Sequence, residues 1–488
     1  MNTPETPTTH PSPTNPAPTN PSTDGPDPTG PSTGAEPTGP GTAGTSTTGT
    51  GTTGLDPTGP STDPSPTGQA PADPSPIGAS SGPAADPRLL APAPGWAGRW
   101  HSTRRRLASG ELGSLPVVVG LVVIAVVFQT VTHHFLQADN LTNITRFIAG
   151  PGLIAVGVVF VLLLGEIDLS LGSVAGASAA IAAVLTARQG WSEWVAILAA
   201  LGAACVMGLL HGLFFARVGV PAFVVTLAGM LAWSGLQEYV LGDGGTVNNR
   251  HDGIIAGLDS TFLGDGDIAY AWTLAILAPA LYLAARLHTT RRRRAAGLTA
   301  PPTTDTAIRA ATLAVLTLAT AYTLNQDRGL PLSLVVLLAA VLTTDFVLRR
   351  TRYGRQVFAV GGNVEAARRA GVNVARIRIS VFILSAFLAG LGGLFYASQQ
   401  GSADKQLGGG NVLMSAIAAA VIGGTSLFGG RGKTWSALLG ILVIQSITTG
   451  LDMVHAAQAI QYMITGAVLL AAVVLDSLTR HTRTTRHR

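Results

Sequence analysis

From about residue 115 onward the chain alternates long apolar runs with short polar or basic interruptions. A helix needs about 20 mostly apolar residues to cross the hydrocarbon core of a bilayer. Twelve runs approach that length: residues 115–135, 147–164, 171–187, 194–216, 222–241, 269–287, 308–322, 331–348, 379–399, 412–428, 434–451 and 459–475. Lipid offers the backbone no hydrogen-bond partner, so such runs are expected as helices. The pattern predicts an all-α, polytopic transmembrane bundle over residues 98–488. Ten and twelve spans both fit, because two short interruptions, 165–173 and 423–432, break apolar runs with glycines and small polar residues. Irregular backbone at membrane depth is tolerated only against protein or a water-filled cavity, so paired breaks of this kind point to a transport pathway. The helices flanking them are candidates for half-helices.

Residues 1–97 differ in kind. They are almost wholly Pro, Thr, Gly, Ser, Ala and Asp in repeated Pro-Thr-Gly-Pro-Ser-Thr-like units. With nothing to bury, such a segment is expected to be a disordered tail. Two roles stay open for it, a dispensable extension and a docking or wall-spanning tether.

Charge separates along the same boundary. The chain is 47% apolar and 12% charged, against about 25% charged in soluble globular proteins. The first 87 residues hold eight acids and no Lys or Arg, so setting them aside raises the formal net charge from +5 for the whole chain to +13 for residues 88–488. That excess lies in short runs between apolar segments, as membrane orientation requires, and carries no nucleic-acid role. Arg104, Arg105 and Arg106 before the first run, Arg291 to Arg294, the basic stretch 349–378 and the tail from Arg480 all fall on the cytoplasmic side. Asp243, Asp252, Asp259, Asp265 and Asp267 fall outside, so both termini are expected in the cytoplasm of a bacterial cell. The single Cys205 excludes an intrachain disulfide and a Cys-based metal cluster. No basic n-region precedes an apolar h-region, so insertion is expected to rest on the first span.

Three segments carry candidate chemistry. The first break holds Glu166 and Asp168, and ionisable groups near a bilayer core are functional candidates by default. The alternative is structural, with Asp168 or Ser170 capping the next helix. The second break holds Gly423, Gly424, Thr425 and Ser426, assigned with Glu166, Asp168 and Ser170 to a transport pathway. In the basic loop 352–373, residues 364–370 read as a short helix that Gly371 terminates. Ala366, Ala367 and Ala370 give it a smooth face that fits a groove on a soluble partner, and an ordinary positive-inside connector is the equal alternative.

Four segments then resemble one family. Gly-Asn-x-Glu-Ala-Ala-Arg-x-x-Gly-Val at 362–372 is similar to the coupling loop of ATP-binding-cassette sugar permeases of the ribose/xylose class. Glu-Ile-Asp-Leu-Ser-x-Gly-Ser at 166–173, Val-Pro-Ala-Phe-Val-Val-Thr-Leu-Ala-Gly-Met at 220–230 and Val-Ile-Gly-Gly-Thr-Ser-x-x-Gly-Gly at 421–430 resemble the same class. The resemblance spans about residues 115–476. Glu166 before Ile-Asp-Leu-Ser and the extra region 291–329 resemble the xylose type within it. By that resemblance, Gly362, Asn363, Glu365, Ala366, Ala367 and Gly371 form the loop that couples to an ATP-binding subunit on the cytoplasmic side. An extracytoplasmic sugar-binding protein delivers the cargo, and the permease works as a homodimer or heterodimer. Two departures stand out: Leu413, Met414 and Ser415 replace a Glu-Leu-Asp triplet, and Lys433 and Thr434 follow Gly-Gly-Arg-Gly.

Other classes have weaker sequence support. Gly432-Lys433-Thr434 mimics the end of a phosphate-binding loop, but Leu427 stands where that pattern needs its first glycine. ATP hydrolysis, a catalytic residue, a cofactor and a metal are therefore not expected on this chain. His133, His134, His211 and Asp345 are the residues a membrane-embedded enzyme would use, at no recognisable catalytic or metal spacing. An ion-coupled secondary transporter is the remaining alternative.

Overall fold

The computed structural model describes residues 115–264, 270–297 and 303–485, and the tail expected over 1–97 lies outside them. Each of the twelve apolar runs contains a helix within the described residues, although the run 412–428 is helical only as far as Ile422. In chain order the helices are α1 (Leu115–Thr132), α2 (Ala138–Phe147), α3 (Ala149–Leu163), α4 (Leu171–Ala187), α5 (Glu193–Leu213), α6 (Ala222–Leu241), α7 (Ile254–Ser260), α8 (Tyr270–Ala295) and α9 (Thr303–Asn325). They continue as α10 (Leu332–Arg350), α11 (Arg352–Gly362), α12 (Val364–Arg369), α13 (Val374–Gln400), α14 (Gly410–Ile422), α15 (Thr434–Met453) and α16 (Gln458–Thr485). Four short strands, β1 (Thr246–Asn248), β2 (Phe262–Leu263), β3 (Leu330–Pro331) and β4 (Ser402–Asp404), pair antiparallel as β1 with β4 and β2 with β3.

Among the described residues, eight helices are long and apolar enough to cross a membrane, namely α1, α5, α6, α8, α9, α10, α13 and α15. The pair α2 and α3, bent by 43°, makes a ninth if taken as one span. The bend has a local cause, because Pro151 has no N–H to donate to the Phe147 carbonyl one turn earlier. Three runs form shorter apolar helices: α4, α14 and the first part of α16. The 13 residues of α14 reach only about 20 Å at 1.5 Å per residue, short of a core of about 30 Å. Both α4 and α14 abut a break, where half-helices were expected.

The centre of the bundle is α3, all fifteen of whose residues are buried. A helix apolar on every side belongs inside protein, and α10, α13, α14 and α15 all pack on it. The long α13 also packs on α4 and α5. Small residues permit this closeness, since membrane helices associate through packing and have little hydrophobic drive. A Cβ on Gly393 would lie 2.1 Å from the Ala175 carbonyl oxygen of α4. Large apolar side chains on α1, α5, α6, α8 and α9 face outward, as a lipid-facing surface requires.

The two ends of the bundle differ. At one end β1 and β4 pair, Asn249 donates to the Ala397 carbonyl, and Arg146 forms an ion pair with the buried Asp259 beneath Phe262. At the other end α3 stops, and α11 and α12 lie between the spans, with Arg349, Arg350, Arg352, Arg355, Arg368 and Arg369 on the stretch that runs from the end of α10 through α12.

Candidate functional site

The first break begins as a helix stop. Gly165 takes φ +81°, the left-handed conformation that glycine adopts without a Cβ penalty. Its N–H reaches the Leu162 carbonyl at 2.9 Å and the Glu166 N–H reaches Val161 at 3.3 Å, the paired bonds of a Schellman motif. The chain then runs irregularly to Ser170, where α4 starts. Ser170 holds the N-cap position but makes no side-chain capping bond. Asp168 instead accepts from the Ser170 N–H at 2.8 Å and from the Ser170 hydroxyl at 2.5 Å. Ser170 therefore does not cap α4 with its side chain, whereas Asp168 holds the N–H of the residue at the N-cap position.

The same residues begin a buried polar chain across three helices. Ser170 Oγ lies 3.3 Å from His211 Nδ1 on α5, and Trp233 Nε1 on α6 donates to His211 Nε2 at 2.9 Å. An indole N–H only donates, so Nε2 accepts, and a neutral imidazole then carries its proton on Nδ1. Hydrogen-bond direction follows: Trp233 to His211, His211 to Ser170, Ser170 to Asp168 Oδ1. Gly229 on α6 makes the room, since a Cβ there would lie 2.2 Å from His211 Nε2. Asp168 is 4% exposed, yet its Oδ2 has no hydrogen-bond partner. It lines a shallow, tightly packed cleft with Val158, Val161, Leu162, Glu166, Ile167, Leu171 and Ile417. Glu166, half-buried at its mouth, lies 3.9 Å from Arg378, whose guanidinium stacks 4.3 Å from the Phe215 ring.

The second break repeats the device. Gly424 at φ +96° ends α14, with its N–H on Val421 at 2.8 Å and the Thr425 N–H on Ala420 at 3.0 Å. Gly423 lies against the Ser436 backbone of α15, so close that a Cβ would sit 1.9 Å from that carbonyl oxygen. Thr425 and Ser426 are buried, and the turn closes through Ser426 N–H to the Arg431 carbonyl at 2.9 Å. Gly430 then donates its N–H to the Leu163 carbonyl at 2.9 Å. This bond serves one of the carbonyls that the end of α3 would otherwise leave unpaired. The two breaks, distant in sequence, therefore meet at the basic end.

The loop with the coupling-type motif joins them there. Thr351 caps α11 by accepting from Gly354 N–H at 3.2 Å, and Asn363 caps α12 by accepting from Ala366 N–H at 2.9 Å. Gly371 at φ +79° ends α12 as expected, with Gly371 N–H on Arg368 and Val372 N–H on Ala367, both at 3.0 Å. Gly361, near the end of α11, touches both breaks: a Cβ there would lie 1.7 Å from the Leu163 oxygen and 3.0 Å from the Gly430 nitrogen. The smooth alanine face divides differently from the sequence reading. Ala367 is 3% exposed and packs into the protein's own core, whereas Glu365, Ala366 and Ala370 are exposed. Gly362, Asn363 and Gly371 are exposed as well.

The polar chain was not legible in sequence, although His211 was conspicuous as a lone histidine in an apolar run. Trp233 gave no signal. The remaining residues weighed for an enzyme stay apart: His133 and His134 are exposed beyond α1, and Asp345 pairs with Arg349 at 2.7 Å.

Residues 140–473 match the protein family described as the permease component of the branched-chain amino acid transport system. The chain belongs to that permease family. It is 34% identical over 376 residues to the xylose transport system permease protein XylH of Escherichia coli, covering 77% of this chain and 94% of the relative. XylH of Haemophilus influenzae is 32% identical, with 76% and 98% covered. The ribose import permease protein RbsC of Bacillus subtilis is 28% identical, with 75% and 94% covered. No solved structure matches.

Proposed function

We propose that this chain is the membrane-spanning permease subunit of an ATP-binding-cassette importer that carries a monosaccharide, xylose or a related pentose, across the cytoplasmic membrane of a bacterium. The observation that carries this reading is the 34% identity to a xylose transport permease over 94% of that protein's length. An ATP-binding subunit docks on the basic end through Glu365, Ala366 and Ala370, while Gly362, Asn363 and Gly371 shape the loop around them. Asn363 starts α12, Gly371 ends it, and Ala367 anchors it to the bundle. A sugar-binding protein delivers cargo at the opposite end, where Leu413, Met414 and Ser415 occupy the first turns of α14. Two such permease chains enclose the pathway. Asp168, its Oδ1 held by Ser170 and its Oδ2 unbonded, lies on that pathway with Glu166, and the 423–426 turn supports it. The arginine bias puts both termini in the cytoplasm. Single cysteines at Asp252 and Ala366, both exposed, test this orientation in a Cys205→Ser background with an impermeant label on intact cells.

The deciding experiment reconstitutes the chain with its ATP-binding subunit and binding protein in proteoliposomes and measures labelled xylose uptake against ribose. Uptake that requires ATP and survives a protonophore supports the reading. One observation favours the ion-coupled alternative, namely the buried carboxylate and imidazole of Asp168 and His211. Uptake driven by a proton gradient without the ATP-binding subunit would establish that alternative.

A further inference from the structure

The turn after α14 is more than a break. Gly430 sits against Gly362, with a Cβ on Gly430 placed 3.0 Å from the Gly362 Cα, and a Cβ on Gly429 would lie 2.6 Å from the Gly361 oxygen. These backbone contacts seat residues 426–431 directly beside the start of α12. At the tip stands Phe428, 71% exposed, its N–H bonded to Ser426 Oγ at 3.1 Å. Arg431 and Lys433 follow on the same surface, both exposed, and Arg368 and Arg369 are exposed on α12.

The size of α12 makes this neighbour matter. Six residues of helix extend only about 9 Å, whereas a specific interface buries on the order of 800 Å² on each partner. A subunit docked on α12 must therefore cover adjoining surface. The turn that touches the α11–α12 junction backbone to backbone lies within that footprint. A large exposed aromatic with an exposed arginine and lysine close behind it in sequence is the composition of a binding anchor. A lipid chain is the wrong occupant, because this aromatic stands among charged groups beyond the ends of α3 and α14.

We propose that the 424–431 turn is a second docking contact for the ATP-binding subunit, with Phe428 inserted into an apolar notch rimmed by acidic side chains. The proposal rests on α12 being a docking element. The test places p-benzoylphenylalanine at Phe428, and separately at Ala366, in the full chain co-expressed with the ATP-binding subunit, followed by irradiation of membranes. The expected result is a cross-link to the ATP-binding subunit from both positions. Phe428→Asp should weaken co-purification on the order of tenfold or more, as loss of an interface anchor does, with membrane-inserted protein unchanged and Phe428→Leu restoring part of the binding. A cross-link from position 366 alone overturns the second contact and leaves the α12 reading standing. A cross-link from neither position overturns both. Capture of lipid or of another copy of this chain from position 428 also overturns the second contact.

Discussion

Gly361 and Gly362 are neighbours in sequence and opposites in structure, which makes them a sharp test of the junction at the basic end. A Cβ at Gly361 would stand 1.7 Å from the Leu163 carbonyl oxygen, 2.8 Å from its carbon and 3.0 Å from the Gly430 nitrogen. All three are backbone atoms, so no side chain can swing aside. Neither segment yields freely, because the Leu163 carbonyl closes α3 and is bonded to Gly430 N–H. Gly361→Ala must push the two apart. Overpacking of this kind costs about 1–3 kcal/mol, and leaving the Gly430 N–H unpaired adds about 1–3 kcal/mol. The sum is a large fraction of the about 5–15 kcal/mol by which a folded protein is stable. At Gly362 an added Cβ meets nothing within 4 Å and the backbone is not left-handed. Gly362→Ala is therefore expected to be neutral, or stabilising by about 0.4–1 kcal/mol through the unfolded chain. Thermal unfolding of the detergent-solubilised variants, followed by tryptophan fluorescence, separates the two. Uptake in cells, normalised to inserted protein, should fall for Gly361→Ala alone. Equal stability for the two variants would refute the close approach of α11 to the two breaks.

Three further outcomes follow from other parts of the fold. Removing one partner of the largely buried Arg146–Asp259 pair strands a charge, so Asp259→Ala should cost about 3 kcal/mol in thermal unfolding, and replacing both residues by apolar ones should cost less. His455 ends α15 at φ +52°, where His455→Gly should add about 1 kcal/mol of stability and Gly424→Ala, the mirror change at φ +96°, should lose a similar amount. Gly229→Ala drives a Cβ to within 2.2 Å of His211 Nε2, so it and Trp233→Phe should both lower uptake about tenfold, the equivalent of about 1.4 kcal/mol, without loss of inserted protein; uptake at the wild-type level in both would remove the polar chain from the proposed pathway.

The spans were legible because their cause is local. In lipid the backbone must satisfy itself, so an apolar run becomes a helix wherever the fold later puts it, and the runs 171–187 and 222–241 coincide with α4 and α6. Helix stops were legible for the same reason: a left-handed glycine closes a helix through bonds to its own last turn, as Gly371 does at α12. The inward turn of Ala367 was not legible. Ala366 and Ala367 are the same residue type on one short helix, and only the elements packed around α12 distinguish them. The chain from Trp233 through His211 to Asp168 was equally hidden, since Ser170 and His211 are 41 residues apart and meet only because α4, α5 and α6 pack side by side. So was the meeting of Leu163, Gly361 and Gly430. Hydrophobic periodicity and glycine placement carry information over one or two helical turns, whereas the polar chain and the junction at the basic end are made of contacts between segments far apart in the chain, and packing at van der Waals distance is what selects them.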